Sequence, residues 1–225
     1  MTKKELLELI LFKDEQEREE AKFYISVKGI ELHYKIIKFL KKSDLQSEKI
    51  EWKKISYVLK NDKSIRDKLY IYLATLEEYI RAYIANKYED NVHQDFWING
   101  KGERNQIKNN IKKGKNLFDV LEDTDFGCLI EQVKKLPSKD QEELFNCSYN
   151  NDNLDAIREL RNAISHHKFL NEYNFKECIV SDVKNNSLIN NIKNLRQLLP
   201  REYWYGEDGK GGLTKDMKKL GINLD

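Results

Sequence analysis

Proline and glycine are scarce in this chain, at 2 and 10 of 225 residues. So little punctuation argues against a fold of short strands and tight turns and favours long helices. Cysteine is scarce too: Cys128, Cys147 and Cys178 stand far apart, odd in number and without a CxxC pair. That spacing speaks against a zinc ribbon and a disulfide framework, and leaves free thiols in a reducing compartment as the expectation. No apolar run approaches the ~20 residues needed to cross a bilayer. The opening "MTKKELLELILFKDEQEREE" has only a short apolar patch, broken by Glu5 and Glu8 and lacking a small-residue cleavage site, so it does not read as a signal peptide. A cytoplasmic protein with no membrane partner is expected. An excess of one charge is missing as well: 40 basic against 38 acidic residues leave a net +2. Total charge therefore does not mark a nucleic-acid binder, and the distribution of charge has to decide.

What is present is helical periodicity on a heavily charged background, with enough apolar residues for one sizeable core. Residues 3–41 read as helix, with Phe23, Ile25, Ile30, Tyr34, Ile37 and Leu40 spaced by three and four. A second pattern covers about 48–60. Asp62 or Ser64 then offers a cap for a long third helix with a core ridge of Leu69, Leu73, Leu76, Ile80, Tyr83 and Ile84. Residues 91–115 break the pattern and predict a long loop with a short helix near 103–112. From Lys101 to Lys115 this segment holds Lys101, Arg104, Lys108, Lys112, Lys113 and Lys115 against the single acid Glu103. It is the most basic stretch of the chain, a solvated surface on the bland reading and a strip for RNA phosphates on the functional one. Helices follow at about 124–135, at 138–146 from a Ser138/Gln141 capping box, beyond the "NNDN" caps at 150–153, and from Ser187 to just before Pro200. The expected organisation is all-α: N-terminal helices over 1–60, a helical domain over 61–200 with the basic loop, and a tail over 201–225.

The chemistry concentrates in "IRELRNAISHHKFL", residues 157–170. Placed on a helix over 154–168 at ~100° per residue, Ile157, Leu160 and Ile164, with Ala156 and Ala163, form a core face. Arg158, Arg161, Asn162, Ser165 and His166 fall opposite. His167 lands on the apolar side beside Leu160 and Ile164, so a buried, structural histidine is expected there, with a role separate from that of His166. An arginine offers charge and bidentate hydrogen bonds to a phosphate. A histidine moves protons near neutral pH, and an asparagine can orient either. No carboxylate or cysteine stands at a metal-ligand spacing from His166, so no metal or cofactor is expected. Arg161 and His166 lie five residues apart, ~7.5 Å along the axis, and flank the face without touching. A two-fold dimer in which two such helices meet would bring two copies of each into one cleft.

"RNAISHH" resembles the Arg-x(4–6)-His signature of HEPN ribonucleases, in which the residue after the arginine is commonly polar, as Asn162 is. With "FGCLIEQVKKL" and "LDAIRELRNAISHH" the chain looks like the Abi-like branch of that family, linked to bacterial abortive infection and similar to the HEPN domains of RNA-guided, RNA-cleaving CRISPR effectors. The resemblance covers about residues 60–200, and the helix carrying Glu78 and Arg81 is similar to the one that packs beside the motif helix in that group. It implies a HEPN-like helical bundle that dimerises through the motif helix to form a metal-independent endoribonuclease of phage defence or toxin type. The RNA 2′-hydroxyl would attack the adjacent phosphorus and leave 2′,3′-cyclic phosphate ends. Carried over, His166 is the general base or acid, Arg161 stabilises the phosphorane charge, and Asn162 fixes the orientation of one of them. Lys101, Arg104, Lys108, Lys112, Lys113, Lys115 and Arg158 make up the expected RNA-contacting set. RNA and a second copy of the chain are the implied partners, with a regulatory RNA or antitoxin left open.

The alternative is a catalytically idle HEPN module that binds RNA or a protein as a scaffold; the intact Arg161, Asn162 and His166 set favours the enzyme. Trp97 beside Phe96 reads as a loop anchor before a base-stacking platform. Tyr203, Trp204 and Tyr205 read as anchors of the tail. His33 and His93 receive no chemistry.

Overall fold

In the computed structural model, the described residues are 1–43, 47–88, 109–110, 112–145, 150–206 and 211–224. They are 71% helical and 5% strand, which makes the class all-α. In chain order they form α1 (Lys3–Glu8), β1 (Ile10–Leu11), α2 (Glu15–Lys28), α3 (Ile30–Ser43), β2 (Ile50–Glu51), α4 (Trp52–Tyr88), α5 (Leu117–Glu122), α6 (Phe126–Val133), α7 (Ser138–Phe145), α8 (Asn151–Ser165), β3 (Cys178–Val180), β4 (Val183–Asn185), α9 (Leu188–Leu198), α10 (Glu202–Tyr205) and α11 (Gly212–Lys219). No described helix is long and apolar enough to cross a membrane. The chain divides into two compact units: residues 1–67 with 167–173, and residues 68–166 with 174–225. The expected boundary at residue 60 falls inside α4, and the tail belongs to the second unit.

The first unit begins with three helices where the periodicity predicts one. α1 is closed by a capping box between Thr2 and Glu5. α2 starts at the Asp14 cap, whose carboxylate accepts the Glu17 N–H at 2.9 Å. It stops at Gly29, whose φ of 89° lies in the left-handed region that glycine enters at little cost. Each segment keeps the three-and-four spacing, so the breaks are hidden in the pattern. Phe23, expected on the apolar ridge, is consequently exposed. Leu6, Ile10, Ile25, Ile36, Ile37, Ile50, Trp52 and Ile55 make the core, joined by Phe169, whose ring meets that of Phe39 edge-on. β1 and β2 pair in parallel through Ile10–Ile50 and Leu11–Glu51. His33 is fully buried, stacked on Trp52, with Nδ1 2.8 Å from the Gly29 carbonyl. Nδ1 therefore carries the proton, and burial holds the ring below the ordinary histidine pKa.

The long helix corrects another expectation. Asp62 does not cap a new helix; it lies buried within the 37-residue α4. There it accepts the Leu170 N–H at 2.9 Å and pairs with Arg66, which also donates to the Lys168 carbonyl at 3.1 Å. This clamp satisfies backbone groups of residues 168–170 that no helix or strand partner serves.

In the second unit, Leu69, Leu73, Leu76, Ile80 and Ile84 of α4 are buried as the ridge predicts. Tyr83 is half-exposed, its hydroxyl donating to the Asp140 carbonyl at 3.0 Å. Arg81 donates to the Leu121 and Thr124 carbonyls at 2.8 and 2.7 Å and pairs with Glu77, tying down the end of α5. Helix α7 begins at Ser138 itself, and Gln141 donates its side-chain amide to the Val133 carbonyl at 3.0 Å, so neither serves the predicted capping box. A β-hairpin without a sequence signature joins β3 to β4 with Cys178 opposite Asn185. Its turn residues Ser181 and Asp182 both have positive φ, 50° and 63°, as a type I′ turn requires.

Candidate functional site

The caps predicted for α8 and α9 are present: Asn150 accepts the Asn153 N–H at 3.0 Å, and Ser187 accepts the Asn190 N–H at 3.1 Å. The predicted core face of α8 is present as well, with Ala156, Ile157, Leu160, Ala163 and Ile164 all buried, and Leu154 is buried beside them. Burial of each large member stabilises by about 1.5–3 kcal/mol.

A seam of asparagines fixes the helix in place. The Asn153 amide donates to Asn194 Oδ1 at 2.7 Å and to the Ile179 carbonyl at 2.8 Å, and Asn194 returns a hydrogen bond to the Asn153 carbonyl at 2.8 Å. Asn190 donates to the Cys178 and Asn185 carbonyls at 2.8 and 3.1 Å. α8, the hairpin and α9 are thereby locked together by buried polar groups whose loss would leave partners unsatisfied. The signal was legible as three asparagines in "INNIKN", a polar excess on a helix with buried neighbours. Cys178 sits in this seam, and burial pushes its thiol up to about 11, an inert position.

The polar face begins with a charge cluster. Arg158 pairs with Glu131 at 3.1 Å and Asp155 at 3.2 Å; Lys134 reaches the same two acids, and Lys176 joins at Asp155. Burial raises the Asp155 carboxyl, but the bonds from Lys134 and the charges of Lys134, Lys176 and Arg158 outweigh it and hold the pKa below the ordinary value. Arg158 is thus already ion-paired within the fold.

Beyond it the face changes character. Arg161 and Asn162 are half-buried and His166 is exposed. Among the described residues, none of their side chains has a hydrogen-bond or ion-pair partner. The helix ends at Ser165, three residues short of the predicted end, with the His166 N–H bonded to the Asn162 carbonyl at 2.9 Å. His167 is exposed with φ 51°, correcting the expectation of a buried residue on the apolar face. The cause is local: a left-handed residue after the cap turns the chain out of the helix before that face is reached again. Glycine usually fills this place; among other residues histidine is one of the more tolerant.

Of the basic segment, Lys101, Arg104 and Lys108 lie outside the described residues, as do Phe96, Trp97, His93 and Cys147. Lys112, Lys113 and Lys115 are exposed, and Lys115 pairs with Asp123 at 3.2 Å. In the tail, Trp204 donates to the Leu199 carbonyl at 2.9 Å and serves as the anchor, whereas Tyr203 and Tyr205 are exposed. Among the described residues no three histidine, cysteine or acidic side chains are grouped to hold a metal ion. Two shallow grooves of the second unit are lined by Ile71, Tyr72, Thr75 and Asp216, and by Glu78, Arg81, Phe118 and Glu122; neither contains Arg161 or His166.

Among the described residues the site is therefore a polar face carrying a guanidinium, an amide and an imidazole without side-chain partners, groups of the kind that phosphodiester chemistry uses. No family model, no curated protein and no solved structure matches the chain.

Proposed function

We propose that the chain is a metal-independent endoribonuclease that resembles the Abi-like HEPN enzymes and acts as a homodimer built on α8. The observation that carries this reading is the uncommitted state of Arg161, Asn162 and His166 on a helix whose other arginine is already paired. A half-buried guanidinium without a counter-ion is costly unless a ligand anion uses it. Two copies of α8 facing each other would supply two imidazoles, which the reaction requires. One takes the proton from the 2′-hydroxyl as its oxygen bonds to phosphorus, and the other gives a proton to the 5′-oxygen as its bond to phosphorus breaks. The products are a 2′,3′-cyclic phosphate and a 5′-hydroxyl. Arg161 offsets the charge that grows on the phosphorane oxygens, and Asn162 orients His166 or the phosphate. Bacterial phage defence, or toxicity restrained by a regulatory RNA or antitoxin, is the setting such an activity implies.

The test is incubation of the purified protein with a defined RNA in EDTA, followed by analysis of the fragment ends. Cyclic phosphate ends that disappear in His166→Ala are the expected result. Cleavage that needs a divalent ion and leaves 3′-hydroxyls would overturn the reading. The openness of the face in a single chain also suits a binding scaffold, for which tight RNA binding without cleavage is the expected outcome.

A further inference from the structure

The first unit carries a second, separate arrangement of charge. On α4 the exposed residues Lys53, Tyr57, Lys60 and Ser64 recur at steps of four, three and four. At ~100° per residue they fall within ~60° of arc and form one stripe. Among the described large hydrophobic side chains Tyr57 is the most exposed, at 70%. The two lysines outside the stripe are neutralised: Lys54 pairs with Glu51 at 3.6 Å, and Lys63 pairs with Asp67. Lys53 and Lys60 have no ion-pair or hydrogen-bond partner among the described residues. The stripe therefore presents an open phenol ring between two uncompensated cations, ~10 Å apart along the axis.

We propose that this stripe binds single-stranded nucleic acid, with an unpaired base stacked on Tyr57 and the flanking phosphates on Lys53 and Lys60. A single strand offers a flat ring between two anions, the complement of this pattern, and an aromatic platform inside a basic track is how sequence-tolerant binding is achieved. An apolar protein partner would find only one large ring here, since Trp52 and Ile55 are turned into the core. The stripe lies on a different unit from Arg161 and His166 and does not depend on their chemistry.

The experiment is fluorescence anisotropy of labelled oligo-dT, which lacks the 2′-hydroxyl and so reports binding whether or not the chain cleaves RNA. Tyr57→Ala is expected to weaken binding about tenfold, and Tyr57→Phe to leave it near the original. Lys53→Gln with Lys60→Gln should lower the slope of log affinity against log salt by about 1.4, while Lys63→Gln changes it little. On an abasic strand of equal length, Tyr57→Ala should lose nothing. Equal affinity of all variants for oligo-dT, or competition by polyglutamate as strong as by the unlabelled oligonucleotide, would overturn the proposal.

Discussion

Arg158 and Arg161 stand three residues apart on one helix and are treated in opposite ways. Arg158 is enclosed by Glu131 and Asp155, with Lys134 and Lys176 completing a network. Arg161, half-buried, has no partner among the described residues. A fold that needs a charge to hold helices together neutralises it; Arg161, on a helix anchored by buried asparagines, holds no described neighbour through its charge. The difference separates the structural half of the polar face from the half available to a ligand.

The sharpest way to break this comparison is substitution on each side of it. Arg161→Ala and His166→Ala are expected to reduce RNA cleavage by about 10²–10⁴-fold with melting temperatures near that of the parent. Arg158→Ala should do the reverse, keeping the cleavage rate per folded molecule and costing about 1 kcal/mol of stability. Equal losses of activity from both arginines, measured on matched folded fractions, would erase the distinction.

Removal of the seam that positions the helix comes next in size. Asn153→Ala strips Asn194 and the Ile179 carbonyl of their donor in a dry environment, and a loss of about 2–3 kcal/mol is expected in denaturant titration. A loss below about 0.5 kcal/mol would mean that water replaces the network. This seam was only half legible. The caps at Asn150 and Ser187 could be read because a cap is a local contact between residues three apart. The pairing of Asn153 with Asn194 spans 41 positions and leaves no local trace. The hairpin escaped for a related reason: its strands are three residues long, and Ser181–Asp182 replaces the glycine-bearing pairs that announce a type I′ turn. Asp62 looked like a cap because buried and capping aspartates are identical in sequence, and only the distant Leu170 N–H tells them apart.

The two units should also differ in acid. In the second, Asp140, Asp155 and Asp216 are held below the ordinary carboxylate pKa, Asp140 chiefly by the Tyr88 hydroxyl. For the other two, opposing burial is outweighed by their lysine partners, with Tyr72 adding a bond to Asp216. Their contribution is present above the unfolded value of about 3.9 and is lost as pH falls through the depressed folded values. In the first unit burial raises Asp62 despite the Leu170 N–H and Arg66. That shift has the opposite sign: its contribution is present below the unfolded value and lost as pH rises through the raised one. Hydrogen exchange resolved by residue, followed from neutral pH to below about pH 4, should show the Asp155 network opening before the Leu170 amide. Leu170 exchanging first would reverse the assignment.

The smallest effect expected is at His167, beside the imidazole assigned to chemistry. The helix stop was hard to read because no glycine marks it; the left-handed position at φ 51° is filled by the histidine. A side chain there costs about 1 kcal/mol relative to glycine, and this ring is exposed, with no partner among the described residues to offset the cost. Glycine also gains backbone freedom in the unfolded chain, which opposes the gain. His167→Gly should therefore shift stability by less than about 1 kcal/mol, in the stabilising direction if strain dominates, and leave the cleavage rate unchanged. The contrast with His166→Ala tests whether adjacent histidines have separate duties. A loss of cleavage in His167→Gly comparable to that in His166→Ala would show that the turn delivers both rings to the substrate.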